Sequence, residues 1–404
     1  MPKSQREGTS VGAASAALIK AVVGTGIFAL PPAIRASGIL LGSAMSIFMG
    51  LVSLYTTWAM VEAVRELRRR GHAKDTDGRI EYTDVTALYS PRWEAIMTVL
   101  CVLGQCGSAL GYFAFICDSV QPLVTDWLTR PEVFGLTALI EAPLILLRNT
   151  SHPAFESAMA FGNVAVALAL GTVLWGVAIA PPAASAHPAM TGLTWADSDG
   201  IGLLFGVTLI MFSCHLEAVS IEADMAHRES FDWVMNATFA ALMVLFVGFG
   251  VAVYANLGEA TGRSFVHGRW HDVTIMQNLQ DGPFVGSVKA LMALNLVAMM
   301  PITLLPASRA AEQLVRAESM HERAAVRLCL LGALALAAAA FPHFETIVGL
   351  TGALGGATCF TLPALCYAHF CRERLLPWQL CIAYAVALFG IIGTLWSFAQ
   401  QIAP

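Results

Sequence analysis

Long apolar stretches alternate with short polar ones along this chain. Eleven stretches are long and apolar enough to read as bilayer-crossing helices, near residues 12–36, 39–64, 93–121, 132–147, 153–180, 200–224, 232–256, 283–306, 324–341, 343–369 and 376–399. A helix needs roughly 20 mainly apolar residues to cross the hydrocarbon core. The fourth stretch is short and carries Glu141 and Pro143. The runs are continuous and rich in Ala, Leu and Gly, unlike the alternating strands of a membrane barrel. The pattern predicts an all-α polytopic membrane protein, with a polar tail over 1–11 and a single transmembrane domain over 12–399. No cleavable signal peptide is expected at the tail.

The first stretch is not a uniform helix. Gly24-Thr25-Gly26 falls mid-membrane, and Pro31-Pro32 follows a turn and a half later. Glycine destabilises a helix interior, and proline lacks the backbone donor. Unwound backbone at membrane depth is tolerated only where protein or a polar cavity covers it. The freed carbonyls suit a cation and the freed N–H groups suit a carboxylate, or the glycines simply let another helix approach. The sixth stretch also changes character, at Phe212-Ser213-Cys214-His215, with Glu217, Glu222 and Asp224 following. An ionised Glu at the bilayer centre costs at least ~2–3 kcal/mol, so Glu217 should face water, pair with a donor or be protonated. The alternative is that the acids lie near the inner end, partly solvated. His215 is either a hydrogen-bonded core residue or part of a proton relay, since its unperturbed pKa is about 6.5.

The two interruptions lie five spans apart. That spacing predicts an inverted repeat of five plus five helices, the first over about 12–180, the second over about 200–369, with an extra helix at 376–399. Gly107/Gly111, Gly202/Gly206 and Gly352/Gly356 each make the GxxxG spacing of close helix contact.

Charge sets the expected orientation. With the N-terminus inside, seventeen Lys and Arg fall on inner segments, against Arg35, Arg130, Arg263 and Arg269 outside. The positive-inside rule therefore places the N-terminus in the cytoplasm and the C-terminus on the other side. The basic loop at 65–79 and the segment 307–327 could contact anionic lipid or a cytoplasmic partner.

Composition narrows the function. Of 404 residues, 57% are hydrophobic and 13% charged; mean hydropathy is +0.66 and the pI about 6.1. The net charge of −5 leaves no basic field for nucleic acid. The nine cysteines form no CxxC pair, so neither zinc nor redox chemistry is indicated and no cofactor is expected. HExxH and GxSxG are absent, which argues against an enzyme.

In order along the chain, several motifs resemble the amino acid/auxin permease family, most closely its proton-coupled branch. They are Leu18 to Ile27 with Leu30-Pro31 and Gly38; Gln105-Cys106-Gly107 with Tyr112, Phe115 and Asp118; Arg148-Asn149; Phe205-Gly206, Phe212, Glu222 and Met225; and Phe341-Pro342 with Val348-Gly349 and Pro363. The resemblance covers most of the chain. It implies a LeuT-like fold with substrate between broken helices 1 and 6, and import of small neutral amino acids driven by protons. The branch usually carries Phe-Glu-Gly at the sixth-helix break, where this chain has Phe212-Ser213-Cys214; the branch's outer Cys pair also has no counterpart.

The expected site then places the amides of Gly24, Thr25 and Gly26, with Ile27, on the substrate carboxylate. The carbonyls of Phe212, Ser213 and Cys214 hold the amino group, and Tyr112 lines or closes the pocket. His215, Glu217 and Glu222 are the candidates for proton coupling. Sodium coupling, a different small amine or amino-acid-like solute, or an amino-acid sensor that binds without flux are the competing readings. The plasma membrane and an endolysosomal or vacuolar membrane are both open.

Overall fold

The computed structural model describes residues 9–72, 80, 82–124, 127–146, 153–179, 192–266, 269–279, 282–340 and 344–402. Arg148-Asn149, Phe341-Pro342, residues 1–8 and residues 73–79 of the basic loop lie outside that set. Helices dominate: α1 (Val11–Val22), α2 (Leu30–Ser37), α3 (Ile39–Arg69), α4 (Tyr82–Tyr89), α5 (Pro91–Val124), α6 (Arg130–Ile145), α7 (Pro153–Ile179) and α8 (Ile201–Met211). They continue with α9 (His215–Asp224), α10 (Phe231–Leu257), α11 (Pro283–Leu314), α12 (Met320–Ala340), α13 (Phe344–Gly355), α14 (Leu362–Phe370) and α15 (Pro377–Ile402). Among the described residues nine spans are long and apolar enough to cross a membrane, and the pair α1–α2, bent by 47°, makes a tenth. The eleventh expected span is α6, whose 16 residues fall below that length.

The first span breaks where expected. Val23 and Gly24 are extended, a 3-10 turn runs over Thr25–Ala29, and Pro31 and Pro32 sit in the first turn of α2, where a missing N–H costs nothing. The sixth span breaks without glycine. Phe212 and Cys214 leave the helical region between α8 and α9. A side chain satisfies one of the carbonyls released there: the Ser53 hydroxyl donates to the Phe212 carbonyl at 2.8 Å, and beside it the Ser213 hydroxyl lies 3.2 Å from the Cys359 sulfur. Three features were not expected from the sequence. They are α4, the hairpin of β1 (Arg263–Val266) and β2 (Arg269–Asp272), and a π-helical segment at Gly356–Thr361 that joins α13 to α14.

Exchanging each span with the one five later reproduces the packing. Helix α2 packs on α10 as α9 packs on α3, α1 on α10 as α8 on α3, and α5 on α13 as α11 on α7. One pair breaks the rule. Helix α8 lies along α13, but no comparable packing joins α1 to α7 among the described residues. A cavity of about 700 Å³ occupies that gap.

The GxxxG glycines are packing surfaces. A Cβ built on Gly206 would come within 1.8 Å of the Gly349 carbonyl oxygen, and one on Gly352 within 1.8 Å of the Gly206 oxygen. Helices α8 and α13 therefore touch backbone to backbone. Gly38, between α2 and α3, has φ of +80°, and a Cβ there would meet the backbone of Ala196 at 2.5 Å; glycine alone suits both demands.

Arginines gather at one end of the bundle. Arg65 and Arg68 of α3 hold the Glu222 carboxylate of α9 at 3.4 and 3.0 Å, and Arg65 also holds Asp232 of α10 at 3.1 Å. Arg69, Arg70 and Arg374 converge on Glu66. At the same end Thr9 pairs with the chain at Met225, through Thr9 N to Asp224 O at 2.8 Å and Ala226 N to Thr9 O at 3.1 Å. At the arginine-rich end the halves α1 and α9 of the two broken spans are thus tied together by main-chain bonds.

Candidate functional site

The two breaks lie side by side. A Cβ on Gly26 would sit 3.3 Å from Ile210 and 3.6 Å from Met211, the last residues of α8. Between them is a cavity of about 150 Å³, lined by Gly24, Thr25 and Gly26, by Ser108 and Tyr112 of α5, and by Thr351 of α13. Gly24 has nothing within 4 Å of where a Cβ would stand, so its backbone is bare toward that space. The N–H groups of Gly24, Thr25 and Gly26 precede the first turn bond, from Ile27 N to Gly24 O at 3.4 Å. They are the donors that a helix start leaves without internal partners, and they favour an anion. The Tyr112 side chain stands at the cavity wall beside Thr303 of α11.

Away from the arginine-rich end, aromatic rings close the cavity. Phe28, just past the first break, lies 5.6 Å from Phe115, and Phe115 lies 5.3 Å from Phe344, which lines the cavity. All three are buried. Toward the arginine-rich end, Gly24, Thr25 and Tyr112 also line the 700 Å³ cavity, which runs between Ala17 and Lys20 of α1, Asn163 of α7, Glu217 of α9 and Asn295 of α11.

The three candidate proton carriers occupy different surroundings. His215 is fully buried, with Nε2 2.9 Å from the Thr56 hydroxyl and Nδ1 without a partner. Glu222 is 1% exposed and held by Arg65 and Arg68. Glu217 is exposed, and the space it faces is cavity: it lines the 700 Å³ volume and also a second one of about 410 Å³ on the other side of α9. The remaining expected site residues divide similarly. Gly24, Thr25, Gly26 and Tyr112 come together on the central cavity, while Ser213 lines the 410 Å³ cavity. Ile27, Phe212 and Cys214 are buried, and none of them lines these three cavities. The Phe212 ring is packed against Phe239 and Phe246. Sequence reasoning missed Ser108, Asn163, Asn295 and Thr351. Their signal was a polar side chain at mid-span, and isolated Ser, Thr and Asn are common enough in membrane helices to go unremarked.

A bundle of lipid-length helices, with two spans unwound at one depth around a small polar cavity reached from one end, defines a membrane protein of the LeuT fold type. Solved structures agree on the fold. The Eremococcus coleocola manganese transporter matches with a TM-score of 0.59 and 13% identity, covering 97% of this chain and 87% of that one. An inward-facing structure of Mhp1 matches with a TM-score of 0.55 and 13% identity, covering 96% and 90%.

The family model described as "Transmembrane amino acid transporter protein" matches residues 7–403, and the chain belongs to that family, the amino acid/auxin permeases. Vacuolar amino acid transporter 3 of Schizosaccharomyces pombe is 23% identical over 310 residues, covering 75% of this chain and 43% of that one. Amino acid transporter ANT1 of Arabidopsis thaliana is 22% identical over 396 residues, covering 93% and 88%. The chain thus spans less than half the length of the first relative and most of the second.

Proposed function

We propose that the protein is a secondary active transporter that moves small neutral amino acids by alternating access, coupled to protons. The observation that carries this reading is the 150 Å³ cavity lined by Gly24, Thr25 and Gly26 at the first break and by Ile210 and Met211 at the end of α8. The amides of the first break hold the substrate carboxylate. Carbonyls at the end of α8, at Ile210 and Met211, take the amino group. The cavity volume is that of about five water molecules at roughly 30 Å³ each, which favours a small side chain.

Glu217 is the proton carrier. Unlike His215 and Glu222, it faces open cavity beside the central site. The arginine-rich end is the cytoplasmic one, in keeping with the charge bias, and the state described is open to it. The paired Phe115 and Phe344 and the tight α8–α13 contact close the other side. In the alternate state α1 closes on α7 and α8 parts from α13, as the exchange symmetry of the packing requires. A plasma or a vacuolar membrane would serve; the likeness to the vacuolar amino acid transporter 3 of Schizosaccharomyces pombe favours a vacuole-like one.

The test is uptake into liposomes. Purified protein accumulates labelled alanine when the outside is made acid, and does so without sodium. No uptake of any common amino acid at any imposed proton gradient refutes the reading, and uptake only with sodium refutes the coupling.

A further inference from the structure

One cavity has no place in that substrate route. The 410 Å³ volume lies between α4, α5, the broken sixth span and the α13 region, and it touches the central site through Ser108, Ile210 and Thr351. One wall is a polar stripe on α5: Glu94, Thr98, Cys101, Gln105 and Ser108 all line it. Their spacing of four and three residues puts them on a single helix face. A polar face on a lipid-length helix is costly unless water or protein meets it. Here the facing wall carries Ser213, Glu217, Thr351 and Thr358. Glu94 is exposed in the first turn of α5. Nearby, Trp93 contacts Tyr89, Tyr89 contacts Phe370, and Arg70 donates to the Phe370 carbonyl. The stripe therefore runs from the arginine-rich end to the centre. Substrate has a different way out, through the 700 Å³ cavity past Gly24 and Tyr112.

We propose that this second cavity is a water-filled proton exit, separate from the substrate route, running from Glu217 along Gln105, Cys101 and Thr98 to Glu94. The inference rests on the transport reading above. In the step, the protonated Glu217 carboxyl gives its proton to a water of the cavity, leaving a carboxylate and a hydronium. Hydrogen-bonded water carries the charge to Glu94 and the bulk. Glu217 is suited to this because it borders both cavities. The titratable groups around it are Lys20 of α1, Tyr112 and Cys101 of α5, Tyr82 of α4, Cys214 at the break and Cys359 of the π segment. From α3, Arg65 and Arg68 face Glu222 instead. Separating the two exits lets the proton leave without crossing the zwitterion.

Two measurements test this on the full-length protein. A membrane-impermeant methanethiosulfonate reacts only with a thiol that can ionise in water. Applied at the arginine-rich face and read by peptide mass spectrometry, it should modify Cys101 at least tenfold faster than Cys106, which is half-buried and lines none of these cavities. Equal or slower modification of Cys101 overturns the aqueous route. In liposomes, Gln105→Leu and Thr98→Val should cut net pH-driven uptake at least tenfold, while amino-acid exchange at equal pH stays within twofold of wild type. Exchange falling in step with net uptake, or net uptake unchanged, overturns the proposal. A wild-type chain that exchanges no amino acid sinks the transport reading itself. The thiol result then still decides whether the cavity holds water.

Discussion

The α8–α13 contact makes a sharp prediction about conformational balance. In Gly206→Ala the new methyl would stand 1.8 Å from the Gly349 carbonyl oxygen and 2.6 Å from its carbon. Ordinary contact begins near 3.4 Å, so the helices must part locally by about 1.6 Å. Neither neighbour is a flexible side chain that could rotate away; both are backbone. Overpacking of this kind costs typically 1–3 kcal/mol. The cost falls on the state in which α8 and α13 are packed, and it disappears in a state where they separate. The balance should therefore shift toward the state open on the far side by roughly 5- to 150-fold. Thiol labelling reads this directly. Ala17 of α1 lines the 700 Å³ cavity, so Ala17→Cys reacts readily from the arginine-rich face in the wild-type background, and should react several-fold more slowly with Gly206→Ala. Transport slows as well, because one half of the cycle is disfavoured. Gly332→Ala serves as the control, since a Cβ there meets nothing within 4 Å. Unchanged labelling and unchanged transport with Gly206→Ala would refute the link between this contact and the state of the transporter.

Other predictions follow from the site. Gly24→Val points its side chain into open cavity rather than into protein, so uptake should fall at least about tenfold, a loss of 1.4 kcal/mol or more in site occupancy, while the thermal melting of the detergent-solubilised protein barely moves. Glu217→Gln keeps shape and hydrogen bonding but removes the titrating group. Wild-type uptake rises as the external pH falls; the variant's uptake, measured over the same range, should be flat. Glu222→Ala strips both Arg65 and Arg68 of a buried partner. Since those arginines keep some solvent contact, the cost should reach up to roughly 3 kcal/mol, seen as a lower melting temperature.

The fold was largely legible because lipid imposes a length and a composition on every span. The break at Gly24-Thr25-Gly26 was readable for the same reason, since Gly and Pro disrupt a helix by known means. The break at Ser213 carried only a polar signal, and what sustains it is tertiary: the Ser53 hydroxyl on the Phe212 carbonyl comes from 159 residues away. The separation of Glu217 from His215 and Glu222 was also out of reach. All three share α9, and only its packing against α3 and the cavities beside it decides which of them faces open space. The π segment at Gly356–Thr361 left no mark in an apolar run that reads as continuous helix. Helix α4 and the β1–β2 hairpin are short elements in polar loops, where hydrophobic periodicity is least informative.

The central claim is that backbone freed at two neighbouring breaks holds both ends of a zwitterion. Calorimetric titration of the solubilised protein with alanine, ethylamine and propionate tests it most directly. Alanine should bind measurably and each analogue at least tenfold more weakly, because each leaves one half of the cradle without its charge. Ethylamine or propionate binding as tightly as alanine would contradict it.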